Sequence, residues 1–433
     1  MALAQPKIDG AEALLQRPSP APASEPAPWA AEIRADAAVR LRAVGGPVRR
    51  DEYWRYTDPA PFMGEAQQSG TQTGAPSADL SDQAGLVARF VDSVYAADTS
   101  ALAPTAGLDV AQLGEALAQP DHWSKNIFGQ FEMDAQTPVS RPLAIYNTAL
   151  ATQGLALRAT DAVAAPILVD YASDQAGGAD QLIRHVIRVE AGASLTLLET
   201  GPVGVRSYQA IEVDIAPGGA FHHIRLQGPQ DSSVANTHIF ARLGAQSTFK
   251  SFTLSANGAA TRNECVITFT GDDAHATVAG AALGNGAGFH HDDTVFVTHD
   301  AVNCESRQVF KKVLRNGATG VFQGKILVQP DAQKTDGYQI SQGLLLDEDS
   351  QFLAKPELEI YADDVACSHG STCGAVDETA LFYLTSRGVP RAEAQDMLVL
   401  AFVDEAIQEI EDEALADHVR VHLRGWLGVS TDL

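Results

Sequence analysis

The chain has 433 residues, with 55 acidic against 30 basic side chains and a formal charge of -25. That length implies two or three domains and room for a real core, and a 45% hydrophobic share excludes wholesale disorder. Such a charge repels nucleic acid or an anionic membrane, because phosphate binding rests on Lys and Arg. The longest apolar run, Ala162 to Val169, falls far short of the ~18 residues of a membrane span, and Met1 to Gly10 shows no secretory pattern. Four cysteines without regular spacing make no disulfide framework, so a cytoplasmic setting is expected.

Residues 1–135 read as a mostly helical region with Pro-rich and Gly/Ser-rich linkers. Five prolines between Pro18 and Pro28 predict an extended, mobile stretch. Trp29, Ile33, Ala37 and Leu41 recur at helical steps, and Gly45, Gly46 and Pro47 end that helix. Gly64 to Asp79 reads as a linker or loop. Leu86 to Tyr95 fits helix and strand equally.

Residues 136–373 read as a β body. β-prone runs follow Gly192-Ala193-Ser194, Gly218-Gly219-Ala220, Gly244-Ala245-Gln246 and Gly271-Asp272-Asp273, whose spacing is 26, 26 and 27 residues. A fixed period without intervening helices predicts a parallel β-helix; three strands of ~5 residues with three bends would fill one rung. The alternative, an antiparallel sandwich, has turns every ~8–12 residues.

Residues 374–433 read as a helical domain. Asp377 suits an N-cap, Gly388 a helix end and Pro390 the next first turn. Val399, Val403, Ala406, Ile407 and Ile410 then form one stripe, and Leu415, Val419, Leu423, Trp426 and Leu427 another.

Among possible sites, Cys367-Ser368-His369-Gly370 is the densest. Residues two apart on a strand share a side, so Cys367 and His369 present a thiolate and an imidazole together, ligands suited to zinc, iron or a cluster. Two ligands do not hold a metal tightly; a partner chain or transient chemistry must complete the set. The bland reading is a packed thiol beside a surface histidine. Cys373 follows beyond Gly370, with its direction unread. Cys265 and Cys304 read as buried structural thiols. His222-His223 and His290-His291 diverge on a strand, but His291 and Asp293 share a face and keep a metal reading open. Asp363-Asp364 raises a polysaccharide-cleaving enzyme, without a nearby Arg for an acidic sugar. Tyr53-Trp54-Arg55-Tyr56-Thr57 reads as an anchor of the front segment onto the body rather than a base-stacking patch. Nucleophile elbows, phosphate-binding loops and dinucleotide fingerprints are absent from the sequence.

Pro356 to Gly388, with Tyr361-Ala362-Asp363-Asp364-Val365 and Cys367-Ser368-His369-Gly370, resembles the C-terminal signature of the SufB/SufD family of the SufBCD iron–sulfur cluster assembly complex. The resemblance extends upstream through Val321-Phe322-Gln323-Gly324, Lys334-Thr335-Asp336-Gly337 and Leu344-Leu345-Leu346, and Trp54-Arg55-Tyr56-Thr57 is similar to the family's front motif. Ser341-Gln342 stands where the B-type branch usually has a cysteine, and Cys-Ser-His-Gly is the D-type form; Ser371-Thr372-Cys373 departs from a usual Ala-Thr-Val. The resemblance implies a mainly β protein, a right-handed parallel β-helix core with helical N-terminal and C-terminal domains. It implies a non-catalytic scaffold that pairs with a SufB-type paralogue through the β-helix end and docks a SufC-type ABC ATPase through its C-terminal helices. Cys367 and His369 would then help hold a transient iron–sulfur cluster shared with SufB. The stripe through Val399 and Ile407, or the last helix, would present the docking surface, and ATP-driven closure would pull on it. A β-helix polysaccharide enzyme and a self-sufficient metal-binding protein stand as rivals.

Overall fold

The near-periodic turns of the sequence stack into one corner of a solenoid. A computed structural model of the protein describes residues 4–19, 24–64, 80–100, 105–173, 180–201, 204–230, 233–257 and 259–427. Residues 20–23 of the Pro-rich stretch and 65–79 of the expected linker lie outside the described residues. Gly192, Gly218, Gln246, Asp273, Asn303 and Lys334 adopt positive φ values of 57° to 70°. That left-handed backbone reverses the chain within a few residues. Each turn also bonds to its neighbour: the N–H of Gly192 donates to Pro217, Gly218 to Ala245, Gln246 to Asp272, Asp273 to Val302 and Asn303 to Gln333.

Two sheets face one another. The first runs β2 (Val94–Tyr95), β1 (Leu86–Val91), β5 (Ile167–Ala172), β7 (Ser194–Thr200), β9 (Ala220–Gln230), β11 (Thr248–Asn257), β13 (His275–Asn285), β15 (Glu305–Arg315), β17 (Thr335–Leu345) and β19 (Val365–Ala375). The second runs β3 (Leu108–Gln112), β4 (Leu155–Ala159), β6 (Gln181–Val189), β8 (Arg206–Ile215), β10 (Val234–Leu243), β12 (Ala260–Phe269), β14 (His290–His299), β16 (Thr319–Val328) and β18 (Gln351–Ile360). Every pairing from β4 and β5 onward is parallel, which excludes the antiparallel sandwich. The result is a mainly β protein, a parallel β-solenoid of about seven turns with helices at both termini. Each rung differs from the expected three short strands. Two strands of 10 or 11 residues run unbroken between corners over most of the body. The paired positions Val234, Ala260, His290, Thr319 and Gln351 therefore step by 26 to 32 residues.

The front region is less purely helical than its composition predicts. Leu86 to Tyr95 forms the β1–β2 hairpin; β1 joins β5 in parallel and β3 joins β4 antiparallel, closing the solenoid's first turn. The helices α1 (Gln5–Leu15), α2 (Pro28–Val44), α3 (Ala60–Met63), α4 (Leu113–Ala118), α5 (Gln130–Asp134) and α6 (Pro142–Leu150) accompany them. They pack on the second sheet's outer face, where Leu143, Ile145 and Tyr146 meet Leu182 and Tyr208. Arg141, Arg184 and Arg262 are buried there against Glu264, Glu212 and Asp292. The Tyr53–Thr57 motif anchors this layer. Trp54 lies 4.7 Å from the Arg262 guanidinium, the Tyr53 ring packs 4.8 Å from Phe296, and Thr57 Oγ1 donates to Asp292 at 2.5 Å.

α7 (Glu378–Thr385), α8 (Arg391–Ile407) and α9 (Glu413–Leu427) follow the body. Asp377 caps α7, accepting from the N–H groups of Thr379 and Ala380 at 2.8 and 3.2 Å. The two apolar stripes read from sequence do not face outward. Val399, Val403 and Ile407 of α8 and Leu415, Val419 and Leu423 of α9 bury against Leu198, Ile224, Phe252 and Val309 of the first sheet. The body's own outer face is their partner, so neither stripe is free to dock another protein. No helix among the described residues is long and apolar enough to cross a membrane.

Candidate functional site at the open end of the solenoid

β18 and β19 are the last strands of their sheets, and each is paired on one side only. The solenoid thus ends in two open strand edges. Cys367 and His369 both lie on β19, whose register with β17 runs without a bulge from Thr335↔Val365 to Leu345↔Ala375. With no slip, side chains alternate strictly, so Cys367, His369, Ser371 and Cys373 share one face. That face looks into the space between the sheets. Cys367 packs against the buried cluster of Ile326, Val328, Ala332 and Ala362, while Ser371 Oγ lies 2.8 Å from Ser341 Oγ.

The sequence-predicted pair is therefore brought to one face, roughly 7 Å apart by strand rise. Cys367 is half-buried and His369 exposed, because among the described residues no further rung covers them beyond β19. Burial pushes the Cys367 thiol up, the Gly337 N–H pulls the other way, and Asp336 adds to the rise. The thiol is thus held in its protonated form until a metal or a base takes its proton. Cys373 shares the face but stands six residues on, roughly 20 Å from Cys367, so the two thiols cannot hold one ion. Unbroken alternation through Gly370 is the signal that gives its direction. Among the described residues no three His, Cys, Asp or Glu side chains converge to hold a metal.

Beneath His369 lies Gln339, its in-register neighbour, which donates from Nε2 to Gln308 Oε1 at 2.7 Å. Gly324 makes that possible: a Cβ there would lie 1.9 Å from the Gln339 Nε2. This requirement gives the glycine of Val321-Phe322-Gln323-Gly324 a physical reason.

The remaining candidates fall elsewhere. His291 and Asp293 do share the interior face, but the Lys312 ammonium occupies the space between them, 2.8 Å from His291 Nδ1 and 2.6 Å from Asp293 Oδ2. His290 faces the opposite way, 3.0 Å from Thr57 Oγ1, and His291 is buried rather than solvent-facing. His223 is buried with Glu199 at 2.7 Å, while His222 reaches toward Glu411 at 3.7 Å. Cys265 and Cys304 are both buried. Asp363 and Asp364 are exposed in the bend before β19.

A family model described as SUF system FeS cluster assembly, SufBD core domain, matches residues 171–402. The chain is 26% identical over 392 residues to the iron–sulfur cluster assembly protein SufD of Escherichia coli, covering 88% of this chain and 89% of that protein. It is 24% identical over 383 residues to a SufBD family protein of Mycobacterium tuberculosis, covering 84% and 85%. It is 27% identical over 291 residues to the chloroplastic protein ABCI7 of Arabidopsis thaliana, covering 60% and 58%.

Proposed function

This chain belongs to the SufBD family and has a role in iron–sulfur cluster assembly; on that premise we propose that it is a non-catalytic scaffold subunit whose open solenoid end completes a cluster site with a SufB-type paralogue. The observation that carries this reading is the placement of Cys367 and His369 on one face of the terminal strand, the thiol half-buried and the imidazole exposed. The pair supplies one thiolate and one imidazole, too few to hold a cluster alone. A second solenoid set end to end supplies the rest and covers the apolar side chains of Ile360 and Tyr361, which are exposed at the last turn. The cluster is cargo in this scheme, formed at the junction and passed on.

A SufC-type ATPase docks at the other exposed feature of this half. On α7, Phe382 and Tyr383 stand 72% and 56% exposed, next to the helices that grip the first sheet. Movement of a bound ATPase would reach β19 through α7, since Ala375 and Glu378 are only a short link apart.

Co-purification with candidate SufB and SufC subunits, then anaerobic reconstitution with iron and sulfide counting, tests the reading. Cys367→Ala and His369→Ala are expected to lower assembled iron and sulfide several-fold while the melting curve of the subunit stays in place, since both side chains lie at the rim. Wild-type cluster yield from both variants would refute the shared site.

A further inference from the structure

Gln339 is fully buried on the interior face of β17, and in the ladder His369 stands directly over it. In-register side chains on adjacent strands are about 4.8 Å apart. One arm of the Gln339 amide is engaged from beneath, where Nε2 donates to Oε1 of Gln308 on β15. Gln308 is itself fully buried, so the anchor does not move with the rim. Turned over by itself, the Gln339 amide would set two carbonyl oxygens against each other.

The other arm is not engaged. Gln339 Oε1 is shielded from solvent and has no hydrogen-bond partner among the described residues. The two arms of a planar amide diverge, so an Nε2 turned to the rung below turns Oε1 toward the rung of β19. A buried acceptor without a donor is costly, and such groups in a folded protein have a reason. His369 can supply the donor. A neutral imidazole carries one N–H and one bare nitrogen, and this exposed ring has the rotamer freedom to swing onto the amide.

Resting on the shared-site reading above, we propose that Gln339 is a positioning residue for His369. Its Oε1 accepts the imidazole N–H, holds the ring in one tautomer and turns the bare nitrogen toward the junction as a ligand for iron. Histidines that bind metals are oriented in this way through their second nitrogen. Here the support is a column of two amides, Gln308 and Gln339, present before any cluster forms.

Nitrogen NMR of the full chain carrying 15N-histidine, at a pH of about 8.5 where imidazoles are neutral, reads the tautomer. His369, identified by the signals that His369→Ala removes, is expected to show one protonated and one bare nitrogen. Gln339→Met, which keeps the length and removes the acceptor, is expected to draw the two signals toward an average. In reconstitution with candidate SufB and SufC subunits, Gln339→Met is expected to cause the same several-fold loss of iron as His369→Ala. The double variant should lose no more than either, and Gln339→Glu, which keeps an acceptor, should restore the iron. The wild-type spectrum decides even where Gln339→Met fails to fold: a ring averaging between tautomers overturns the proposal. A single tautomer that survives Gln339→Met, or a double variant worse than His369→Ala, overturns it too and leaves the shared site standing. Failure of Gln339→Glu to restore iron overturns the acceptor role, while full iron with His369→Ala removes the site and this inference together.

Discussion

Arg262 shows what one residue holds together. Its guanidinium is fully buried, 3.2 Å from Glu264 and ion-paired with Asp292, and it donates to the Tyr53 carbonyl at 3.1 Å while covering the Trp54 ring. One cation thus ties the front motif to two strands of the second sheet. Replacing it with Met keeps the volume but leaves the Asp292 carboxylate in the interior with only the neutral donors Gln323, Thr57 and Thr294 as hydrogen-bond partners among the described residues. We expect Arg262→Met to cost roughly 3–5 kcal/mol in a denaturant titration, the range for removing one member of a buried pair. The double variant Arg262→Met with Asp292→Asn should recover part of that loss; a single-variant cost below about 1 kcal/mol would mean the network is replaceable. None of this is legible in the sequence, where nothing in Thr261-Arg262-Asn263-Glu264 marks the arginine as buried. The Cys367–His369 pair was legible because its geometry depends only on strand alternation. Which charges are buried depends on which helix later covers them.

At the scale of elements, the same distinction separates α8 from what it touches. The spacing of Val399, Val403 and Ile407 identified an amphipathic helix, and that much is intrinsic to the chain. The family resemblance implies that its apolar stripe faces a partner, whereas it buries against the first sheet's own outer face. Periodicity reveals that a face is apolar and says nothing about what covers it. This changes how docking is to be tested. Truncation after Gly388 would uncover Leu198, Ile224 and Phe252, confounding lost docking with lost folding. Replacing Phe382 and Tyr383 with Ser removes only exposed rings of α7, whose buried contact is Leu381. The expected outcome is loss of a SufC-type ATPase in a pull-down, with SufB-type pairing and the melting temperature unchanged to within about 2 °C. Full retention of the ATPase would move its docking surface off α7.

Over the whole molecule, the solenoid has a titration signature that follows from stacking histidines within its rungs. His185 and His299 inside the rungs, and His238 beneath the front helices beside Glu264, are buried, and burial pushes each imidazole down to about 4. His291, next to Lys312, is driven down as well, by burial first and the ammonium second. Glu264 adds to the same trend: burial alone would raise its carboxyl, but Arg141 and Arg262 outweigh that and hold it at about 2. In the unfolded chain an imidazole binds a proton near pH 6.5, so between about 6.5 and 4 the unfolded state carries protons that the folded state refuses. Stability is therefore complete above neutrality and falls as the pH drops through that window. The loss down to pH 5 is on the order of 2 kcal/mol for each such ring. Urea midpoints at pH 7.5, 6 and 5 should fall steadily, and His299→Gln, at a site where burial is the only cause of the shift, should flatten the slope by about one proton. A midpoint that stays level from pH 7.5 to 5 would mean the rungs admit charged imidazoles, and the close packing of Phe269 on His299 at 4.5 Å would have to open to allow it.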